Sequence, residues 1–486
     1  MRQQGGLSVE LVLIHQNDTH GCLDTHPEFF WGDPRPFYIH CGGFSRIFRY
    51  VTRLKQQHPH VLFVDGGDLF HGTGPLVLSQ GEAVLPLLRQ MPLDAWVPGN
   101  WDFAYGPQQL FSLISQVPAP ALAMNAKPIS GKVNPFHSHM IREIGGIRVG
   151  LTGWTYPFVD QTMPPSFSEG LTFSLNIDDM RKVVHQLREK EQADLIVVIS
   201  HMGLPLDIKA ASCMEGIDII LSGHSHDRID KPIRQNNTWI VQSGASASFL
   251  GRIDISFENG KITHIRHQLI PLYADEYEED PEFSRLIREI KQPYETLLRE
   301  EIGKLKTPLH RMFLNETPMD RLITDAYLYA IDADIALSHG WRYGAPILPG
   351  VITVEDLYQI IPTNPELFTL ELEGRFILEA FETNLEQVFS PDPFQQKGGY
   401  VLRTSGVIMA YKPYNPKGRR IEHFLVQNKP LKQDAIYRIV SAGEQILGQY
   451  QSVKKHLGIH AHDAIRHFFQ AHQTIEIHDT PRIFSI

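Results

Sequence analysis

Leu11 to Leu23 reads LVLIHQNDTHGCL, an apolar run that stops on Asn17-Asp18-Thr19-His20-Gly21. It reads as a short apolar strand that stops abruptly. Just past such a strand end, an oxygen donor (Asp18) and a nitrogen donor (His20) two residues apart can face one point in the crevice where open α/β sheets place their ligands. Metal chemistry is the natural reading, although a carboxylate that only orients a histidine has the same pattern.

Four further stretches repeat the arrangement. VLFV runs into Asp65-Gly66-Gly67-Asp68, and DAWV into Pro98-Gly99-Asn100-Trp101-Asp102. IVVIS ends on His201, and IILS is followed by Gly223-His224-Ser225-His226. Five apolar strands thus deliver Asp, Asn or His at the same, carboxyl end. Asp18, His20, Asp68, Asn100, His201, His224 and His226 make a mixed oxygen and nitrogen set too large for one tetrahedral ion, and it fits two ions sharing a carboxylate. Two ions about 3.5 to 4 Å apart can hold a hydroxide and clamp the oxygens of a phosphoryl-like group during in-line displacement. Other residues read more plainly. His15 is expected to be a satisfied core histidine, and Asp65 to order the Gly66-Gly67 turn or hold a ligand histidine from behind. His71 is within reach of a pocket wall, but the sequence does not favour that reading. His58, His60, His137 and His139 read as surface residues.

A chain of 486 residues is too long for one ordinary core, so two domains are expected. A formal charge of −10 opposes binding to a nucleic-acid polymer. A small anionic substrate would have to be held by local charge, meaning metals and a few arginines. No apolar run reaches 18 residues, so no membrane partner is expected. The three cysteines, Cys22, Cys41 and Cys213, form no CxxC pair, and MRQQGGLSVELVLIHQ contains no segment of signal-peptide length. The expected address is therefore cytoplasmic, or periplasmic if an export signal has been removed.

From Leu11 to about Tyr273, strands alternate with amphipathic helices, one marked by Phe44, Ile47, Phe48, Val51 and Leu54, another by Met180, Val183, Val184 and Leu187. The rhythm implies central sheets flanked by helices, an α/β fold. Two shorter strands, RIDISFENG and KITHIRHQLI, joined at Asn259-Gly260, would close this domain as a hairpin. The acidic stretch ADEYEEDP then leads into a solvated linker helix carrying Phe283, Leu286, Ile287, Ile290, Leu297 and Leu298 on one side. The expected boundaries are 1–273, 274–301 for the linker and 302–486 for a smaller α+β domain. In that domain helices are expected over Arg321 to Ile331 and Arg375 to Val388, with strands at Asp334 to Ser338, Leu367 to Leu372 and Tyr437 to Ser441.

The ordered set Asp18/His20, Asp68, Gly99-Asn100-Trp101-Asp102, His201 and Gly223-His224-Ser225-His226 resembles the calcineurin-like metallophosphoesterases of the 5′-nucleotidase type. The resemblance implies a four-layer metallophosphoesterase domain and a carboxy-terminal substrate-binding domain. It also implies two divalent ions, manganese first and zinc, iron or cobalt as alternatives. One ion would take Asp18, His20, Asp68 and His226. The other would take Asp68, Asn100, His201 and His224, with Asp68 as the bridge and Asp68, Asn100 and His201 carrying catalysis.

The chain departs from that family in two places. Nucleotidases of this type follow the Asn ligand with a histidine and, three residues on, an Asp that helps the transition state. Trp101 and Ala104 stand there instead. The aromatic base clamp is also missing, for the first position reads Ile361-Pro362-Thr363 and the late Gly-Gly-Asp-Gly motif is absent. Ser338-His339-Gly340-Trp341-Arg342-Tyr343-Gly344, Phe389-Ser390-Pro391-Asp392-Pro393-Phe394, Gly398-Gly399-Tyr400-Val401-Leu402-Arg403 and the Asn100-Trp101 pair are similar to the dimanganese thiosulfohydrolase branch. There Arg342, Arg403, His339 and Trp101 would be the substrate-binding residues, since a planar guanidinium fork matches tetrahedral oxyanions. The expected function is a two-metal hydrolase in which a bridging hydroxide attacks a small phosphate ester, nucleotides included. The alternatives are thiosulfohydrolase-like cleavage of an S-sulfonate on a carrier protein's thiol, and a metal-binding scaffold without activity.

Overall fold

The computed structural model describes residues 8–129, 133–258, 261–397, 399–443, 447–478 and 480–486. Two compact units emerge. The first comprises the chain up to Glu28, Ile39–His71 and Pro75–Pro293, and the second Phe29–Tyr38, Gly72–Gly74 and the chain from Tyr294 on.

The first unit is built on two sheets. In one, the strand Ser8–Gln16 pairs parallel with Val61–Asp65, which pairs parallel with Ala95–Trp96. On its other side it pairs antiparallel with Phe249–Glu258, which pairs with Lys261–Pro271. In the second sheet Leu195–Ser200 lies parallel between Ile147–Trp154 and Ile219–Ser222, and Thr238–Gln242 extends the parallel run. Leu11, Leu13, Leu62 and Val64 of one sheet share a core with Val197, Ile199 and Leu221 of the other. The alternate residues Ile14, Phe63, Ile196 and Val198 are equally buried, so these strands are covered on both faces. That double burial is why the strands read as continuous apolar runs rather than alternating ones. The result is the expected α/β layering of sheets between helices.

On one outer face the helix Phe44–Gln57 buries Phe44, Ile47, Val51 and Leu54, and the ring of Phe48 stacks on Phe283 with centroids 4.3 Å apart. Phe283 belongs to the stretch expected to be a solvated linker, and here the structure corrects the sequence reading. The helix Pro281–Lys291, capped by the Asp280 carboxylate, buries Phe283 and Ile287 and packs within the first unit. Arg46, buried, reaches the Glu279 carboxylate at 2.7 Å. The helix also does not run through: Pro293 lacks the N–H that would continue it, and a 3-10 turn (Gln292–Tyr294) precedes the short helix Glu295–Leu298. Phe249–Glu258 and Lys261–Pro271 are long strands, not the short pair the sequence suggested. Asn259-Gly260 lies outside the described residues.

In the second unit a five-stranded sheet runs in the order Arg403–Ser405, Ile335–Ser338, Ile436–Ala442, Glu366–Glu373, Lys455–His460. The helices Pro318–Ala330 and Gly374–Phe389 accompany it. Its core gathers Ile335, Leu337, Phe368, Leu370, Phe381 and Leu385. Among the described residues no helix is long and apolar enough to cross a membrane.

Candidate metal centre

The parallel strands of each sheet end in loops that carry the expected donors. Asp18, His20, Asp68, His224 and His226 all have left-handed backbone conformations, with φ of 52°, 47°, 59°, 70° and 61°. Non-glycine residues enter that region at a cost and stay there only when their surroundings fix them. The fixing contacts are present. Asp18 N–H donates to the Gly67 carbonyl at 2.8 Å, His20 N–H to the Asp68 carbonyl at 2.9 Å, and Ser246 N–H to the Asp18 carbonyl at 2.8 Å. The Asp18 carboxylate accepts from Asn17 Nδ2 at 2.7 Å and from the His224 backbone N–H at 2.8 Å, which ties the first loop to the last.

The side chains converge. His226 Nε2 lies 3.1 Å and His20 Nε2 3.8 Å from Asp18 Oδ1, and the two ring nitrogens are 3.2 Å apart. His201 Nε2 lies 3.3 Å from Asp68 Oδ2 and 3.7 Å from Asp18 Oδ1, and His20 Nε2 is 3.7 Å from Asp68 Oδ2. Asn100 Oδ1 completes the second cluster, 3.2 Å from His201 Nε2 and 2.8 Å from His224 Nδ1. All seven residues predicted from sequence are brought together.

The donor set suits divalent cations. His201 Nδ1 donates to the Gly66 carbonyl at 2.5 Å, which leaves Nε2 to the centre, the tautomer a metal ligand needs. Burial opposes charge on His201, but Asp68 and Asp18 outweigh it and lift the pKa to about 10. The two buried carboxylates demand positive charge at this point. Burial also disfavours the Asp18 carboxylate, yet His226 and His201 hold its pKa well below the usual range. Asp18, His20 and His226 form one group able to hold an ion, and Asp18, Asp68 and His201 another.

Several supporting contacts could not be read from sequence. Asp102 accepts four backbone N–H bonds, from Asp68 and Gly99 on one oxygen and from Leu69 and Phe70 on the other, at 2.7 to 2.9 Å. Trp101 N–H donates to Asp68 Oδ1 at 2.8 Å. The ring of Tyr156 stacks on His224 at 4.3 Å, and Asn100 Nδ2 faces Met163 Sδ at 3.7 Å. Asp65 accepts from Gly67 N–H at 2.7 Å, so it orders the glycine turn, and the Gly66 carbonyl is what holds His201. His15 is buried with Nδ1 3.0 Å from Ser243 Oγ. His58, His60 and His139 are half-buried and His137 is exposed.

Gly99 sets the closeness of these loops. A Cβ there would stand 2.2 Å from Asp68 Oδ1. Gly99→Ala is therefore expected to push Asp68 out of line and weaken metal retention about 10- to 100-fold, the scale of losing a ligand's support. Titration of metal into the apo variant checks this, and wild-type affinity would refute it.

The substrate residues expected in the second unit are placed differently. Arg403 is wholly buried, its Nη1 donating to the Leu314 carbonyl at 2.6 Å, its Nη2 to the Phe313 carbonyl at 3.3 Å and its Nε 3.0 Å from Asp320 Oδ2. The planar fork reads the chain's own carbonyls and carboxylate, which corrects the expectation of an anion-holding Arg403. Arg342 is half-buried, and the His339 ring lies 4.4 Å from that of Trp341. Burial and the Arg311 charge lower the His339 pKa to about 4. Gly398 lies outside the described residues. Trp101, in the first unit, is 9% exposed.

Comparison with known proteins matches residues 11–228 to the calcineurin-like phosphoesterases and residues 301–444 to the 5′-nucleotidase C-terminal domain. The trifunctional nucleotide phosphoesterase YfkN of Bacillus subtilis (strain 168) is 25% identical over 483 residues, covering 89% of this chain. The match spans only 31% of YfkN. Among solved structures, a sulfate thiohydrolase SoxB of Thermus thermophilus superposes with a TM-score of 0.90 at 25% identity, covering 98% of this chain and 96% of that one. A 5′-nucleotidase precursor, also from Thermus thermophilus, gives 0.87 at 23%, covering 98% and 99%, and supports the fold. With both family matches in their expected order and the motif residues gathered at one point, the chain belongs to the 5′-nucleotidase-type calcineurin-like metallophosphoesterases, hydrolases that use divalent metals.

Proposed function

We propose that this hydrolase acts on a small phosphate ester, nucleotides included, with two divalent cations, manganese first. The observation that supports it is the paired cluster: Asp18 and Asp68 oxygens stand 3.1 to 3.8 Å from the imidazoles of His20, His201 and His226, and Asn100 Oδ1 stands 3.2 Å from His201 Nε2 and 2.8 Å from His224 Nδ1. One ion would be held by Asp18, His20, Asp68 and His226, the other by Asp68, Asn100, His201 and His224. Such a pair of ions activates water and neutralises a tetrahedral oxyanion. The chain's own part is to keep Nε2 of His201 bare through the Gly66 carbonyl, to fix Asp68 through Trp101 N–H, and to orient the Asn100 oxygen inward. A second reading is cleavage of an S-sulfonate on a carrier thiol. It is favoured by Trp101 at the helper position and by the likeness to the sulfate thiohydrolase.

The test is product release by manganese-loaded protein offered nucleotides and simple phosphate esters in one panel and thiol S-sulfonates in another. Phosphate release is the expected result. Sulfate alone would replace the first reading with the second, and release of neither would leave a metal-binding scaffold.

A further inference from the structure

The loop from Gly223 to Asp227 carries His224 and His226, one donor for each of the two proposed ions, and both have left-handed backbones, at φ 70° and 61°. A segment of this kind, left to itself, relaxes to commoner conformations and would turn both rings away. On one side the His224 N–H is held by the Asp18 carboxylate at 2.8 Å. On the other side the loop meets Gln242, the last residue of the strand Thr238–Gln242, which pairs in register with Ser222 and is wholly buried.

The Gln242 amide is used at both ends. Its Nε2 donates to the Gly223 carbonyl and to Ser222 Oγ, each at 2.8 Å. Its Oε1 accepts the Asp227 N–H and, at 3.2 Å, the Ser225 hydroxyl. The group can face only one way, since a carbonyl needs a donor and an N–H an acceptor. It therefore grips the backbone just before His224 and just after His226. Ser225 Oγ also accepts the Leu204 N–H at 3.0 Å, which ties the loop to the chain three residues past His201. Beyond Gln242, Ser243 N–H donates to Asn17 Oδ1 at 3.0 Å, and the Gly244 carbonyl accepts from Asn17 Nδ2 at 2.7 Å. The same strand end is thus fastened to the loops of Asp18, His224 and His226.

We propose that Gln242 is a positioning residue of the metal centre: its amide brackets the strained His224–His226 segment and so holds one imidazole in place for each ion. It touches neither ion nor substrate in this role. The proposal rests on the two-ion reading above.

Two variants of the full chain separate positioning from packing. Gln242→Met keeps the length of the side chain and loses every contact of the amide. Ile240→Ala, two residues back in the same strand, opens a void at a buried position that pairs with Ile220 and Ile233, and reports what lost stability does by itself. Manganese is titrated into each metal-free protein by calorimetry, the spin coupling of the bound pair is read by electron paramagnetic resonance, and melting curves are recorded. The Met variant is expected to bind manganese about 10- to 100-fold more weakly, the scale of losing a ligand's support, and to show isolated ions in place of the coupled pair. Ile240→Ala should melt lower than wild type and bind manganese as wild type does. Should Gln242→Met not fold, Ser225→Ala decides: it removes the half-buried oxygen between Gln242 Oε1 and the Leu204 N–H, and should weaken binding about tenfold.

Wild-type affinity with an unchanged coupled signal in the Met variant would overturn the proposal. So would equal weakening in Gln242→Met and Ile240→Ala, the mark of a merely structural role, or unchanged affinity in Ser225→Ala where that variant decides. A wild type that takes up one ion per chain would end the two-ion reading, and the ratio of affinities for that ion would then decide on Gln242 by itself.

Discussion

Asp68→Asn is expected to cut ester turnover about 10³-fold and leave the chain folded. The carboxylate's two oxygens have separate tasks: Oδ1 accepts the Trp101 N–H at 2.8 Å, and Oδ2 faces His201 at 3.3 Å and His20 at 3.7 Å. An Asn can keep the first contact through its own oxygen, so the loop geometry survives. It cannot keep the charge or the second oxygen that two cations would share. Losing one cation removes several kcal/mol of charge stabilisation, and about 4 kcal/mol is 10³ in rate at 1.36 kcal/mol per tenfold. Bound metal, read by elemental analysis, should drop from the proposed two ions per chain to one or fewer, with an unchanged melting curve for the apo protein. Turnover within tenfold of wild type would sink the bridging role.

Asp102→Ala should act on stability first. Four buried backbone N–H groups share this one carboxylate, and each donor left without an acceptor costs about 1 to 3 kcal/mol. A net loss of roughly 4 kcal/mol or more is a large share of the ~5 to 15 kcal/mol that holds a domain together. The melting temperature should fall by about 10 °C or more, since 1 kcal/mol moves a domain of this size about 2 to 4 °C. Asp102→Asn, with one acceptor oxygen retained, should lose about half as much. Calorimetry of the two variants settles the matter, and an Ala variant melting within about 3 °C of wild type would show the four bonds to be replaceable by water.

The first unit was legible because its strands are covered on both faces. Burial of that kind leaves unbroken apolar runs, and the residue types at their carboxyl ends announce the chemistry. The contacts that hold the donors were not legible, since Asn17 to Asp18 is local but Asp18 to His224 spans most of the unit. Nothing in the composition around Gly66 says that its carbonyl will fix His201. Asp102 was in plain view two residues after Asn100, but an Asp at the start of a turn has many ordinary uses. Arg403 was misread for a different reason. Neighbouring glycines signal turns, not exposure, and the partner that claims its guanidinium, Asp320, lies in a distant helix. The helix Pro281–Lys291 was read, but its docking was not, because the acidic stretch before it looks solvated, while Phe283 and Ile287 decide where the helix rests.

The left-handed conformation of five of the seven donors bears on how this sequence can drift. On backbone conformation alone glycine is favoured at each of those positions, since it enters that region without the roughly 1 to 3 kcal/mol a side chain incurs, but at Asp18 and Asp68 it would also orphan the buried N–H groups of His224 and Trp101. Relief of that strain is the pull towards glycine at His20, His224 and His226 under selection for folding alone. A chain that keeps five costly donors, all turned to one point, has traded stability for what they do there. By the same reasoning, a descendant freed from this chemistry would be recognised first by glycines at these three places.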